Sequence, residues 1–139
     1  MIVVDTNVVS ELMKAEPDES VRRWTLDQPG AALYTTAITL AEILYGIERL
    51  PPGSRKELLR STATDVFATF ADKVLAFDAN AAVHYSRIVD TRDRVGQPID
   101  GFDAQIASIC LSHDRSLATR NTKDFEHTGI DLVDPWRVG

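Results

Sequence analysis

Four acids stand where they could do chemistry together: Asp5, Glu42, Asp103 and Asp124. Carboxylates gathered in one place repel one another, and without compensation their pKa values rise. A divalent cation removes that repulsion. Oxygen-only ligands suit Mg²⁺ or Mn²⁺, and Mg²⁺ keeps several of its waters. A cation held this way lowers the pKa of a water and neutralises charge on a phosphodiester, and a pair of cations can clamp both the attacking and leaving oxygens. Each acid also has a purely structural use. Asp5 could cap a helix, although an aspartate ending a buried Val-rich strand is costly without a partner. Thr39-Leu40-Ala41-Glu42 has capping-box spacing. Asp100 and Asp103 lie three apart at a helix start, where acids are electrostatically favoured and one of them could be the cap. Asp124 sits in a polar turn, where aspartate is common.

The elements around these acids explain how they could meet. Ile2–Val4 reads as a buried strand, followed by a helix over Val8–Lys14. Leu33–Thr36 is a second strand, with a helix from about Leu40 to Leu50. Ser54 to Lys73 reads as one long helix with Ser54 and Glu57 at capping-box spacing. Val74–Phe77 is a third strand, after which Asp78 caps a helix in which Ala81, Tyr85, Ile88 and Val95 recur at helical spacing. A helix over Phe102–Ser112, a strand over Ser116–Thr119 and a short strand over Ile130–Val133 complete the chain. Strands separated by helices imply crossover connections and a parallel sheet covered on both faces, a three-layer α/β domain.

In open parallel sheets, ligands bind beyond the carboxyl ends of the strands. Asp5 ends the first strand, Glu42 lies in the first turn of the helix after the second, Asp103 lies in the first turn of the helix before the fourth, and Asp124 follows the fourth closely. All four are candidates for one rim.

Bulk properties bound the answer. The 139 residues, 44% hydrophobic and 26% charged, suit one domain over residues 1–139 with a real core. The single cysteine, Cys110, excludes an internal disulfide framework and sits in an apolar run suited to packing. The first residues, Met1 to Asp5, carry neither a basic region nor a long apolar stretch, and no apolar run suits a membrane helix. A cytoplasmic protein without membrane attachment is the expectation. The net charge of −6 argues at first against a nucleic-acid partner. Four acids taken up as ligands of two divalent ions would leave a balance of −2, so the charge excludes little.

In order, these blocks resemble PIN-domain ribonucleases, specifically the VapC-type toxins of bacterial toxin–antitoxin pairs. Ile2-Val3-Val4-Asp5-Thr6-Asn7-Val8-Val9-Ser10 is similar to the family's first strand and its acid. Ala41-Glu42-Ile43-Leu44-Tyr45-Gly46, Phe102-Asp103-Ala104-Gln105-Ile106-Ala107 and the stretch Leu117 to Phe125 are similar to the second, third and fourth acid blocks. The third block and the closing Asp134-Pro135-Trp136 resemble the FitB-like subgroup, and no acidic position departs from the pattern.

The resemblance implies an α/β/α PIN-like domain with five parallel strands in the order 3-2-1-4-5. It implies Mg²⁺ or Mn²⁺, endonucleolytic cleavage of RNA, and a homodimer able to assemble further with a small cognate antitoxin that obstructs the site. Asp5 and Asp103 would be the principal metal ligands, Glu42 would assist, and Asp124 would hold a second metal or water. Thr119 and Asn121 would orient the site through hydrogen bonds, as would Thr6, Asn7 and Ser10. The apolar helices near Val8–Met13 and Leu40–Leu50 would supply partner surfaces. Lys14, Arg22, Arg23, Arg49, Arg55, Lys56, Arg120 and Lys123 could reach phosphates, although most are expected simply to be solvated. His84, His113 and His127 fall outside the blocks, and Trp24 and Trp136 read as packing anchors.

Other readings remain. An aspartyl phosphatase usually carries a second acid two residues after the first, where this chain has Asn7. A phosphate-receiving regulatory domain needs an acid on a middle strand and a lysine after the last, and neither is clearly placed. A non-catalytic PIN-like RNA-binding module is opposed by the full set of acids.

Overall fold

Val3 and Val4 are consecutive on one strand, so their side chains point to opposite faces, and both are buried. A strand like that needs cover on both sides. The computed structural model, which describes residues 1–30 and 32–138, supplies that cover. In chain order the elements are β1 (Ile2–Val4), α1 (Thr6–Leu12), α2 (Glu19–Asp27), β2 (Leu33–Thr36), α3 (Ala37–Glu48), α4 (Ser54–Phe70), β3 (Val74–Leu75), α5 (Ala79–Arg94), α6 (Gly101–Ser112), β4 (Ser116–Ala118) and β5 (Leu132–Val133), with a 3₁₀ turn over Thr122–Phe125 before β5.

The five strands are parallel and ordered β3-β2-β1-β4-β5, with Val3 beside Tyr34 on one side and Leu117 on the other. Val4, Val8, Val9, Val21, Ile43, Ile47 and Phe70 form the core on the face covered by α1 to α4. Val3, Ile88, Ile106, Cys110, Leu117 and Phe125 form the other core, against α5 and α6. Each fully buried aliphatic side chain of this kind contributes about 1.5–3 kcal/mol. Cys110 is wholly buried, and burial pushes its thiol up to about 12, so it packs rather than reacts. Among the described residues no helix is long and apolar enough to cross a membrane.

Three sequence expectations need correction. α2 has no counterpart in the sequence pattern because its inward face offers only Val21 and Trp24, too few apolar positions to declare a period; Asp18 nevertheless caps it, accepting from Ser20 N and Val21 N. α3 begins at Ala37 and not near Leu40. Its cap is Thr36, whose hydroxyl accepts from Thr39 N at 3.1 Å, so the capping-box reading of Thr39 and Glu42 is wrong. Ser54 is likewise no cap: Gly53 takes that position, without a side-chain bond. The remaining elements are displaced by only a few residues. Val74–Leu75 is shorter than expected because Asp78 already caps α5, and α1 starts at Thr6 because Asp5 caps it.

Candidate active site

The rim of the sheet at its carboxyl edge is built by short steps from strand to helix. β1 ends at Val4, and Asp5 is both the next residue and the cap of α1, its Oδ1 accepting from Thr6 N at 2.8 Å. β4 ends beside it, and Thr119 donates its hydroxyl to Asp5 Oδ2 at 2.7 Å. Asn7 Nδ2 reaches the same oxygen at 3.4 Å and Thr119 Oγ1 at 3.1 Å. Asp5 is only 5% exposed, so its charge depends on these donors. Burial pushes its carboxyl above the ordinary range and the charge of Asp124 adds to that, against the bonds from Thr119 and Thr6.

Glu42 arrives from α3 in the second helical turn and not the first, because the helix already starts at Ala37. The Thr6 hydroxyl donates to its Oε1 at 2.8 Å and lies 3.2 Å from the Thr39 hydroxyl. Burial raises its carboxyl, as do Asp5 and Asp100. Asp100 accepts from Phe102 N and Asp103 N and is thus the cap of α6, which leaves the Asp103 side chain uncommitted. Asp103 is pushed up to about 7 by burial and by the charges of Asp5, Asp100, Asp124 and Glu42. Asp5, Glu42 and Asp103 share one cleft of about 440 Å³. Asp124 is exposed on the 3₁₀ turn and lines the adjoining cleft, near enough to raise both aspartates.

The supporting residues behave unequally. Thr6, Asn7 and Thr119 form the network just described. Asn121 joins it through its backbone N–H, which donates to Thr119 Oγ1 at 3.1 Å. Ser10 only lines the cleft. Trp136 packs against the core on the face covered by α1 to α4, as an anchor should, and also forms part of the cleft wall.

Two residues escape the sequence reading. Glu11 lines the cleft, but its oxygens are taken by Lys14 Nζ and Asp18 N, which makes it a brace between α1 and α2. Arg92, 5% exposed, donates to the backbone oxygens of Gln97, Asp124 and Glu126. It fastens the loop leading into α6 to the turn carrying Asp124. Its position on the apolar stripe of α5, four residues after Ile88, was the available signal.

Among the described residues no three carboxylate, thiol or imidazole side chains form a ready metal cage. The donor set still fits a hard cation that retains water, because such ions are held by one or two carboxylates with solvent completing the shell. The carboxyls are raised first by burial and then by one another, and a bound cation would offset both costs.

A carboxylate cleft at the carboxyl edge of a 3-2-1-4-5 sheet is the signature of a class, and comparison with known proteins identifies it. The PIN domain family matches residues 2–131, and the chain belongs to that family. It is 39% identical over 137 residues to the VapC ribonuclease Y4jK of Sinorhizobium fredii, covering 98% of each chain. It is 32% identical to the toxin FitB of Neisseria gonorrhoeae, covering 98% of this chain and 99% of that one. Its fold superposes on the crystal structure of FitAcB from Neisseria gonorrhoeae with a TM-score of 0.92 and 32% identity, covering 99% of this chain and 100% of that one. Within the PIN family it is a VapC-type ribonuclease toxin of a toxin–antitoxin system.

Proposed function

We propose that the chain cleaves RNA phosphodiester bonds endonucleolytically at the cleft of Asp5, Glu42 and Asp103. The observation that carries this reading is the convergence of those three acids, from three separate elements, on one open cleft. Asp5 and Asp103 would hold Mg²⁺ or Mn²⁺ with Glu42 assisting, and Asp124 would hold a second ion or a water. When bound, such a cation offsets the charge of the carboxylates and of the phosphodiester and makes water a better nucleophile. The chain's own groups do the positioning: Thr119 and Asn7 fix the Asp5 carboxylate, and Thr6 fixes that of Glu42. An RNA substrate suits a cytoplasmic site of action.

A groove of about 420 Å³ between α1, α3 and α4 supports an antitoxin partner. Met13, Ile43, Ile47, Leu50 and Leu59 line it, while Thr6 and Glu42 belong both to it and to the acidic cleft. An amphipathic helix fits such a groove, and its continuation would enter the active site. Solved relatives in complex, FitAB and VapBC of Salmonella typhimurium, each bound to DNA, support the same reading. Exposed Leu44, Tyr45 and Phe102 on α3 and α6 offer apolar surface for a homodimer, with a larger assembly forming around the antitoxin.

Purified protein cleaves RNA with Mg²⁺ or Mn²⁺ and stops in EDTA; equal cleavage by metal-free protein would sink the mechanism. A ligand that binds only the folded state stabilises it, by about 2.7 kcal/mol at a hundredfold excess over its dissociation constant. Divalent metal therefore raises the melting temperature, and Asp5→Asn removes most of that rise.

The roles of Glu42 and Thr36 separate in a paired assay. Glu42→Gln keeps the Thr6 hydrogen bond and nearly all stability, while cleavage falls by about 10-fold or more because a neutral amide serves a cation poorly. Thr36→Ala removes the α3 cap, costs about 0.5–2 kcal/mol, and leaves metal-dependent cleavage in place at temperatures where the variant is folded. A fully active Glu42→Gln would take Glu42 out of the site.

A further inference from the structure

Arg120 is anchored directly to the network around Asp5. It follows Thr119, which holds Asp5, and its backbone N–H donates to Asn7 Oδ1 at 3.2 Å. Its side chain leaves the surface over Trp136, with the guanidinium carbon 5.1 Å from the ring centroid. Trp136 is half-buried against the core, so the ring is a fixed platform. A guanidinium attracted to an aromatic face gives up little conformational freedom and keeps its N–H edge for a ligand.

The charges nearby show that this edge is uncommitted. In the acidic cleft Glu11 feels the charge of Arg120, but its two oxygens are bonded to Lys14 Nζ at 2.9 Å and Asp18 N at 2.8 Å. In the adjoining cleft Arg137 faces Asp134 at 3.6 Å, and Asp124 also lines the wall. Among the described residues neither Arg120 nor Lys123 has a carboxylate within 4.0 Å. Arg120 also occupies a particular place: it lines both the cleft of Asp5, Glu42 and Asp103 and the neighbouring one of about 480 Å³ that contains Lys123 and Arg137.

We propose that Arg120, held over Trp136, binds the RNA phosphate next to the one cleaved, and that the strand leaves the acidic cleft past Lys123. This rests on the ribonuclease reading above. A phosphodiester lodged among the acids is flanked along its strand by further phosphates, and the two clefts that meet at Arg120 give the strand a continuous exit. A guanidinium fork matches a phosphate bidentately. A carboxylate of a protein partner would satisfy the same fork, but only a polyanionic strand also uses the unpaired Lys123 and the second open cleft. Trp136 thereby gains a role as the support that orients Arg120.

The test is binding of a short single-stranded RNA, followed by fluorescence anisotropy between about 50 and 300 mM salt, in the cleavage-silent Asp5→Asn protein. Each phosphate neutralised on a single strand contributes about 0.7 to the slope of log K against log salt. Arg120→Gln therefore weakens binding about tenfold and flattens the slope by that amount. Arg120→Lys keeps the slope but binds more weakly than arginine, because the fork is lost. Trp136→Phe retains a platform and stays near the parent, whereas Trp136→Ala, folded by its melting curve, behaves more like Arg120→Gln. Arg87→Gln, in a separate groove, leaves the slope unchanged. Unchanged affinity and slope in Arg120→Gln overturn the proposal and leave the guanidinium to a protein carboxylate. An equal effect from Arg87→Gln overturns it too, as general electrostatics. Failure of the ribonuclease reading shows differently, as absence of RNA cleavage by the unsubstituted chain with any divalent ion.

Discussion

Asp103→Asn abolishes nuclease activity and at the same time makes the metal-free protein more stable above neutral pH. The two effects have one cause. Asp103 is raised from an ordinary 3.8 to about 7, first by burial and then by Asp5, Asp100, Asp124 and Glu42. A carboxyl whose folded-state pKa lies above its unfolded value is bound to its proton more tightly when folded. The stability this confers is fully present below about pH 4 and is lost as pH rises through about 7. In EDTA at pH 8 the parent therefore folds against an ionised carboxylate among other carboxylates, and asparagine removes that cost. Since Asp103 is partly exposed, solvent screening reduces the gain to about 1–2 kcal/mol. With Mg²⁺ or Mn²⁺ present the order reverses, because the parent gains from the ion and the variant does not. Cleavage falls by about 10³-fold, the scale of removing a principal electrostatic group from a site of this kind. Melting curves at pH 5 and pH 8, with EDTA and with metal, check the first part and an RNA-cleavage assay checks the second. A lower melting temperature for the variant at pH 8 in EDTA would show that Asp103 is not the seat of the repulsion, and activity above a tenth of the parent would remove it from the ligand set.

The acids were legible in the sequence because strand ends are. Ile2-Val3-Val4 followed by Asp5, and Leu117-Ala118 followed by Thr119, place polar groups just beyond buried strands of a parallel sheet, and the rule for such sheets puts them on one rim. Which role each acid plays was less legible, because capping and ligation use the same residue types. Asp5 caps α1 and still lines the cleft, Asp100 takes the cap that frees Asp103, and Glu42 loses its capping role to a threonine that belongs to β2. That last shift follows from Thr36, a strand residue that also ends the strand by bonding forward to Thr39 N, a double use that no periodicity reveals. Side-chain reach across the chain was invisible altogether. Nothing in Thr6 announces its bond to Glu42, 36 positions away, and nothing in Trp136 announces that Arg120 lies over its ring.

Arg92→Met, which keeps length and apolar bulk and removes the guanidinium, lowers stability by about 3–5 kcal/mol and weakens cleavage without touching an acid. The side chain is almost wholly buried, and its partners are three backbone oxygens, those of Gln97, Asp124 and Glu126 at 2.5, 2.7 and 2.9 Å. Gln97 also donates its own N–H to Arg92 O at 2.9 Å, so the end of α5 and the following loop close on each other through one residue. Gly96 makes that closure possible, since its φ of 74° lies in the left-handed region that glycine adopts without strain. A fork with several donors is the one side chain that can satisfy oxygens from two segments together. Methionine leaves all three without their charged donor; each bond of this kind contributes about 1.5–3 kcal/mol, and the total stays at the low end because Gln97, Asp124 and Glu126 are exposed and water can reach them. The turn from Thr122 to Phe125 then loses its tie to α5, and Asp124 loses its fixed position relative to Asp103. Arg92→Lys keeps the charge but serves fewer oxygens, so it falls between parent and methionine in both stability and cleavage. Chemical denaturation and cleavage rates measured on the three proteins, under conditions where each is folded, decide the matter. A methionine variant within about 1 kcal/mol of the parent would show that the carbonyls find water as readily as guanidinium, and Arg92 would then be no anchor for the Asp124 turn.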